Sequence, residues 1–109
     1  MHEDEIPPGT LYLLILKALA RHGELHGYEI ANWIAQVSDE VLQVEEGSLY
    51  PALQRMLIKG WVTAKWGVTA GNRRARYYRL SALGRKQLQV EVSQFERVMQ
   101  AIRQAIQTA

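Results

Sequence analysis

Cysteine is absent from the 109-residue sequence, which excludes disulfides and thiolate metal ligands. Long apolar runs are absent too: the longest, LYLLILKALA at residues 11–20, contains a lysine and is too short to span a bilayer. Neither a basic leader nor a cleavage site accompanies it. We therefore expect a cytoplasmic protein without a membrane partner, folded as one small domain with one additional element.

Negative charge is missing from a long internal segment. Residues 47–90 contain nine arginines and lysines and no acid, whereas residues 1–46 carry nine acids and two basic residues. The formal net charge of +2 hides this separation. An acid-free basic segment is typical of a face that binds a polyanion, because an ordinary solvated surface mixes both signs.

Motifs for catalysis and metal binding are also missing. Serine, histidine and aspartate occur, but not at the spacing of a nucleophile elbow, a phosphate loop or a metal site. His22 and His26 are four residues apart, but Gly23 interrupts the helix between them and no third ligand is evident. We expect no enzyme activity, no cofactor and no metal.

Apolar periodicity predicts a first helix at 9–22, with Thr10 as a possible cap and Gly23 as its stop, and a second helix at 26–38. Residues 1–7 are acidic and predicted to be flexible. The first helix is apolar almost all round, so it must be covered on more than one side. In so small a protein this pattern indicates a partner chain.

The third predicted helix contains GSLYPAL and follows a link at 39–46. We place its start at Ser48, as a cap, so that Pro51 falls in the first turn, where its missing N–H has no intrahelical partner to lose. On a helical wheel, the face with Leu49, Leu53, Met56 and Leu57 packs inward. The opposite face presents Tyr50, Pro51, Gln54, Arg55 and Ile58.

This outward face has the chemistry of duplex recognition. A hydroxyl-capped helix start suits a phosphate. Gln54 matches adenine and Arg55 matches guanine in a major groove. Glu45 and Glu46 would repel DNA if they faced it, so we expect both to point away.

Two strands are predicted after this helix. Residues 61–68 alternate, with Val62, Ala64, Trp66 and Val68 on one side, and residues 75–81 place Tyr78 and Leu80 inward. The turn between them, TAGNRR, gives the hairpin a basic tip suited to phosphate or minor-groove contact. The tip residues are Asn72, Arg73, Arg74 and Arg76.

The last predicted helix covers residues 82–107 and carries a heptad seam. The seam either packs inside the chain or joins it to a second copy, and we favour the second copy. Its members are Leu88, Val92, Phe95, Met99, Ile102 and Ile106.

Three short helices, a hairpin and a long helix predict a mainly α (α+β) fold, a winged helix-turn-helix with a two-stranded wing. We divide the chain into a winged-helix DNA-binding domain at 1–80 and a dimerisation helix at 81–109.

The sequence resembles the PadR family of winged-helix transcriptional regulators, which are typically repressors. The resemblance is carried by LHGYEI (25–30), GSLYPAL (47–53) with GWV (60–62), and RYYRLSALGRKQL (76–88), in the order of the family. With the single long terminal helix these segments cover most of the chain and match the family's small-protein branch.

The resemblance implies a homodimer formed by the first and last helices. A two-fold symmetric dimer in turn requires a double-stranded DNA operator that is an inverted repeat. The first helix would contribute Leu11, Leu14 and Ile15 to the dimer. The resemblance also implies that Tyr28 and residues 48–55 meet DNA, with the wing alongside, although Tyr28 is equally suited to a core. Some short members hold planar drugs between tryptophans of the dimer; here Phe95 is the only aromatic residue of the terminal helix. A small-molecule inducer stays an open question.

Two other classes of function fit less well. A winged helix used only for protein–protein contacts would not need three arginines at its tip. A binder of RNA or single strands would need a row of exposed aromatic rings, which the sequence does not predict.

Overall fold

The computed structural model describes residues 8–109, and the predicted flexible segment 1–7 lies outside them. Four helices and three short strands follow one another as α1 (Pro8–His22), β1 (Leu25–His26), α2 (Gly27–Val37), α3 (Glu46–Ile58), β2 (Val62–Val68), β3 (Arg74–Leu80) and α4 (Ala82–Gln107). The fold is the predicted winged helix with a long C-terminal helix. No helix within residues 8–109 combines the length and the apolar character needed to cross a membrane.

The apolar helix α1 lies at the centre of the fold. It packs against α2, α3, α4 and β3, so its own chain covers most of its circumference. Ile15, Leu16 and Leu19 are fully buried there, together with Ile30 and Ile34 from α2. The core is completed from α3, the sheet and α4 by Leu49, Ala52, Leu53, Met56, Val62, Tyr78, Leu80 and Leu88.

The sheet has three antiparallel strands in the order β1-β3-β2, one more than the predicted two-stranded wing. The additional strand β1 pairs Leu25 with Tyr78 and His26 with Tyr77. The predicted second helix includes residue 26; in the structure His26 caps that helix instead. Its Nδ1 accepts a hydrogen bond from the Glu29 backbone N–H, and the Glu29 carboxylate accepts one from the His26 N–H.

Two predicted helix caps are wrong. The first helix begins at Pro8, a favourable residue for a first turn, so Thr10 lies inside the helix and is not its cap. The third helix begins at Glu46 with Glu45 at the cap position, and the Glu45 carbonyl accepts from the N–H groups of Ser48 and Leu49. Ser48 is therefore a residue of the first turn and not the cap.

The earlier start of α3 also changes the role of Pro51. Pro51 lies in the second turn, where its nitrogen cannot donate to the carbonyl of Gly47 four residues before it. Gly47 is exposed, so water can hydrate that carbonyl. The predicted faces of the helix are nevertheless confirmed: Leu49, Leu53 and Met56 are buried, and the outward face from Tyr50 to Ile58 is exposed.

Two helices end in the same Schellman geometry but with different residues in the left-handed position. At the end of α3, Gly60 has φ +76°, and the Trp61 N–H bonds the Met56 carbonyl. At the end of α2, Asp39 has φ +52°, and the Glu40 N–H bonds the Ala35 carbonyl. A side chain in this conformation is disfavoured, because its Cβ approaches the following carbonyl oxygen.

We expect Asp39→Gly to raise the free energy of unfolding by about 0.5–1 kcal/mol, because glycine adopts the left-handed conformation without strain. Gly60→Ala should lower it by about 1 kcal/mol or more. A Cβ at Gly60 would meet only the Leu83 side chain, at 3.7 Å, so the destabilisation would come from backbone strain and not from a clash. Urea unfolding at one fixed protein concentration measures both changes.

Gly47→Ala is the control for these variants, since a Cβ at this helical position meets nothing within 4 Å. Helix propensity should make it stabilising, the opposite of Gly60→Ala. A destabilising Asp39→Gly would contradict the strain argument and show that the aspartate side chain stabilises this helix end.

Candidate nucleic-acid interface

The hairpin of β2 and β3 projects from the body of the protein. One of its faces is apolar near the body and basic toward the tip. The register pairs Ala64 with Tyr78, Trp66 with Arg76 and Val68 with Arg74. Tyr78 is buried, whereas Trp66 and Val68 are exposed, because the strands project beyond the core. The strand phase predicted for residues 62–68 is therefore correct, but only its first half packs inward.

The tip of the hairpin is closed by Thr69 and Asn72. The Asn72 N–H bonds the Thr69 carbonyl at 2.9 Å, and the Arg73 N–H bonds the Thr69 Oγ1 at 3.2 Å. Asn72 has φ +60°, a conformation that asparagine tolerates better than most residues. Its observed role is therefore to shape the turn that carries Arg73.

An open groove of about 800 Å³ separates this hairpin from the first turns of α2 and α3. We call it the wing groove. Five of the ten residues predicted to contact DNA line it: Tyr28, Tyr50, Arg73, Arg74 and Arg76. The chain thus brings together residues from three separate segments, and the three wing arginines face two phenols across the groove.

The position of Tyr50 in the groove depends on Gly27. The Tyr50 ring lies against the backbone of Gly27, so that a Cβ there would be 2.9 Å from the phenol oxygen and from one ring carbon. Tyr28, the next residue, is exposed and not part of the core, and its ring stacks on His26 at 6.4 Å between centroids. Both phenols are therefore presented on the same side of the molecule.

The buried Tyr78 forms the floor of the groove. Burial raises the pKa of its phenol above the ordinary value of 10.0; Arg76 acts in the opposite direction, and Tyr50 adds to the rise. Tyr78 therefore stays a neutral phenol at physiological pH.

The other five residues predicted to contact DNA lie outside the lining of the wing groove: Ser48, Pro51, Gln54, Arg55 and Asn72. Gln54 is exposed one turn after Tyr50, so it continues the same face of α3. Arg55 points elsewhere. Its Nε donates a hydrogen bond to the Tyr12 hydroxyl at 2.5 Å, and its guanidinium lies 5.6 Å from the centre of that ring.

Sequence reasoning missed several residues of the groove, among them His26, Trp66 and Tyr77. It also expected Glu46 to point away from the basic face, but Glu46, the first residue of α3, lines the groove. Trp66 could have been assigned to the groove from its position opposite Arg76, but this pairing is known only once the register of the hairpin is known.

The two histidines that are four residues apart in the sequence, His22 and His26, make separate contacts in the structure. His22 packs edge-to-face on Trp33, with 5.7 Å between ring centroids, and His26 caps α2. Within the described part of the chain, no three possible metal ligands come together.

A second, apolar groove lies between α1 and α4, on a different part of the surface. We call it the helix groove. It encloses about 470 Å³ and is lined by Leu13, Leu14, Lys17, Leu88, Gln89, Val92 and Phe95. Farther along α4 the predicted seam continues without cover, since Phe95 is 43% exposed, Ile102 45% and Ile106 76%.

Not every residue predicted for dimerisation is available on this surface. Leu11 and Ile15 are 2% and 0% exposed inside the core, so they cannot contact a partner in this conformation. Leu88 is also buried, whereas Val92 and Met99 are half-buried. The accessible part of the predicted set is Leu14 with the seam from Val92 to Ile106.

Comparison with known proteins agrees with this architecture. The model of the PadR-like family of transcriptional regulators matches residues 15–90. An uncharacterised protein from Lysinibacillus sphaericus is 28% identical over 102 residues, which cover 94% of this chain and 93% of that protein.

Two solved structures have the same fold at similar identity. A transcriptional regulator from Clostridium thermocellum is 28% identical, with a TM-score of 0.80 over 88% of this chain and 92% of the other. A PadR family transcription regulator from Clostridium difficile is 26% identical, with a TM-score of 0.73 over 88% and 97%. The family match, which spans most of the chain, and the shared winged-helix fold show that this chain belongs to the PadR-like family of transcriptional regulators.

Proposed function

We propose that this regulator binds double-stranded DNA as a homodimer and represses transcription from an operator that is an inverted repeat. The observation that carries the proposal is the wing groove, where Arg73, Arg74 and Arg76 face Tyr28 and Tyr50. Guanidinium and phenol groups are donors for phosphate oxygens. The repressor role rests on the family resemblance and is tested by a reporter gene placed behind the selected operator.

In the proposed complex, the exposed face of α3 enters the major groove and the wing lies along the neighbouring backbone. Tyr50 and Gln54 are one helical turn apart, so the phenol reaches a phosphate while the amide reaches a base edge. The acid-free segment 47–90 supplies the favourable field, and two acids from outside this segment, Glu29 and Glu46, also line the groove. Arg55 is a weaker candidate for base reading than the sequence indicated, because it bonds Tyr12.

Substitutions should distinguish phosphate contacts from base contacts. Arg73→Ala should weaken binding to all duplexes and reduce the slope of log K against log salt by roughly one for each phosphate that the arginine neutralises. Gln54→Ala should leave that slope unchanged, cost on the order of 1–3 kcal/mol on the preferred site and relax one or two base positions. Fluorescence anisotropy across a salt series measures both.

Arg79→Ala is the control for charge, because Arg79 is an exposed arginine of the same β3 strand but outside the wing groove. It should change the salt slope less than Arg73→Ala does. Affinity that is independent of salt in the wild-type chain would instead favour a winged helix used for protein contacts.

The partner of the helix groove is proposed to be a second copy of the chain. The groove is continuous with the uncovered seam of α4, and a heptad pattern is built to pack against another helix. A two-fold axis at α4 would cover both helix grooves with the same contacts. It would also fix the two α3 helices relative to each other.

Phe95→Glu tests the dimer. Phe95 is 43% exposed in the single chain, so the substitution should leave its fold intact but place an unpaired charge in the interface, at a cost of several kcal/mol. Light scattering should then detect monomers. Affinity for a site with two half-sites should fall by about 10²–10⁴, the gain that a bivalent contact supplies, whereas binding to a single half-site should be unchanged.

Gln100→Glu is the matched control, because residue 100 is exposed and lies on nearly the opposite side of α4. It adds the same charge to the same helix but away from the seam, and it should stay dimeric. An intact Phe95→Glu dimer would exclude the seam as the interface.

The symmetry of the operator is a separate expectation. Two α3 helices related by a two-fold axis require half-sites about one helical turn apart, roughly 34 Å, or a multiple of it. Selection from random duplexes followed by footprinting should yield an inverted repeat. Inserting about five base pairs between the half-sites should abolish tight binding, because it turns one half-site to the far side of the DNA. Equal affinity at every spacing would contradict a rigid dimer.

A further inference from the structure

Trp66 is a large aromatic residue that burial does not explain. It lies on β2 beyond the core and is 57% exposed. Two arginines of β3 contact its ring: the guanidinium carbon of Arg74 is 4.4 Å from the ring centre, and that of Arg76 is 5.8 Å away. The strand register explains this arrangement, since Arg76 is directly opposite Trp66 and Arg74 is its diagonal neighbour on the same face.

We propose that Trp66 is a positioning residue: its indole holds Arg74 and Arg76 in the orientation in which they contact phosphates of the duplex. This inference rests on the proposed DNA-binding function and adds a role that is not part of the predicted contact set. Trp66 acts through the two arginines and does not itself bind DNA.

The geometry of the contact is compatible with phosphate binding. A guanidinium lies against an aromatic ring with its flat face, whereas its five N–H donors point outward in its own plane. An arginine held on Trp66 can therefore still donate to a phosphate. Both guanidinium groups are attracted to the electron-rich face of the ring, and this cation–π attraction is stronger for tryptophan than for tyrosine or phenylalanine.

The advantage of the ring is that it restricts two flexible side chains before DNA arrives. An exposed arginine on a hairpin samples many rotamers, and ordering it on binding opposes association. The other cation–π contacts among the described residues, Arg55 on Tyr12 and Lys59 on Trp61, lie outside the wing groove and involve one cation each. The paired contact is found where the phosphate donors are needed.

The ring contact is tested first without DNA. In the wild-type chain, the side-chain protons of Arg74 and Arg76 should show upfield ring-current shifts in NMR spectra. Trp66→Leu should remove these shifts, and Trp66→Phe should retain part of them. Since Trp66 is exposed, circular dichroism and the melting temperature should be nearly unchanged in both variants. Arginine protons at random-coil positions in the wild-type chain would overturn the proposal.

The functional role is tested by a mutant cycle on a fixed duplex. Trp66→Leu should weaken binding on the order of tenfold, because the two arginine side chains are no longer ordered before DNA binds. Trp66→Phe should weaken it less. In a chain that already carries Arg74→Ala and Arg76→Ala, Trp66→Leu should have no further effect. Val68→Ala, which trims an exposed apolar residue on the same face of the wing, should leave affinity unchanged.

Three results of this cycle would overturn the proposal. An equal drop in affinity from Trp66→Leu with and without the arginines would mean that the indole contacts DNA itself. Tighter binding by Trp66→Leu would mean that the ring withholds the arginines from phosphates. Unchanged binding by Trp66→Leu, with a wild-type chain that binds duplex DNA, would mean that the ring contact has no role in recognition. Failure of the proposed function is distinct, because the wild-type chain would then lack affinity for duplex DNA.

Discussion

Burial of α1 is the constraint on which the other elements depend. A helix with almost no polar face cannot be stable at a surface, so α2, α3, α4 and β3 all pack against it. Ile15, Leu16 and Leu19 are fully buried as a result. Because the same helix contacts α3 on one side and α4 on another, the surface proposed to read DNA and the surface proposed to pair two chains share one rigid support. A change in packing around α1 would therefore shift both α3 and α4, and with them both proposed surfaces.

The wing shows how one alternating pattern can serve two purposes. Val62 and Ala64 at its base pack inward, and the same face carries Trp66 and Val68 into solvent once the strands pass the edge of the core. Period-two alternation fixes which side of a strand a residue occupies, but it does not indicate where the body of the protein ends. The surface proposed to contact DNA is thus a continuation of the apolar face of the wing, with arginines in place of apolar partners on β3.

Long periodic elements were predictable from the sequence, and contacts between distant residues were not. The heptad pattern places the last helix at 82–107, the bounds observed for α4, and the buried face of α3 follows from the spacing of Leu49, Leu53 and Met56. The two-residue strand β1 has no period of its own and exists through its pairing with β3. The predicted start of α3 is wrong because Ser48 offers a cap signal that the backbone does not use. The bond from Arg55 to Tyr12 joins residues 43 positions apart, which no local pattern encodes.

The packing of Tyr50 against Gly27 separates two parts of the outer face of α3: Tyr50 is constrained by a neighbouring element, and two exposed residues that follow it on this face are not. The Tyr50 ring lies against the backbone of Gly27 at the start of α2, so replacing it with a side chain of another shape would disturb this fit. Gln54 is exposed, and Ile58 is 77% exposed, so the body of the protein restrains both side chains little. In the proposed complex, substitutions at these two positions would alter the surface offered to base edges while the fold and the proposed phosphate contacts stay in place. If α3 reads the operator as proposed, variants at two neighbouring turns of this helix would prefer a different operator without a change of fold.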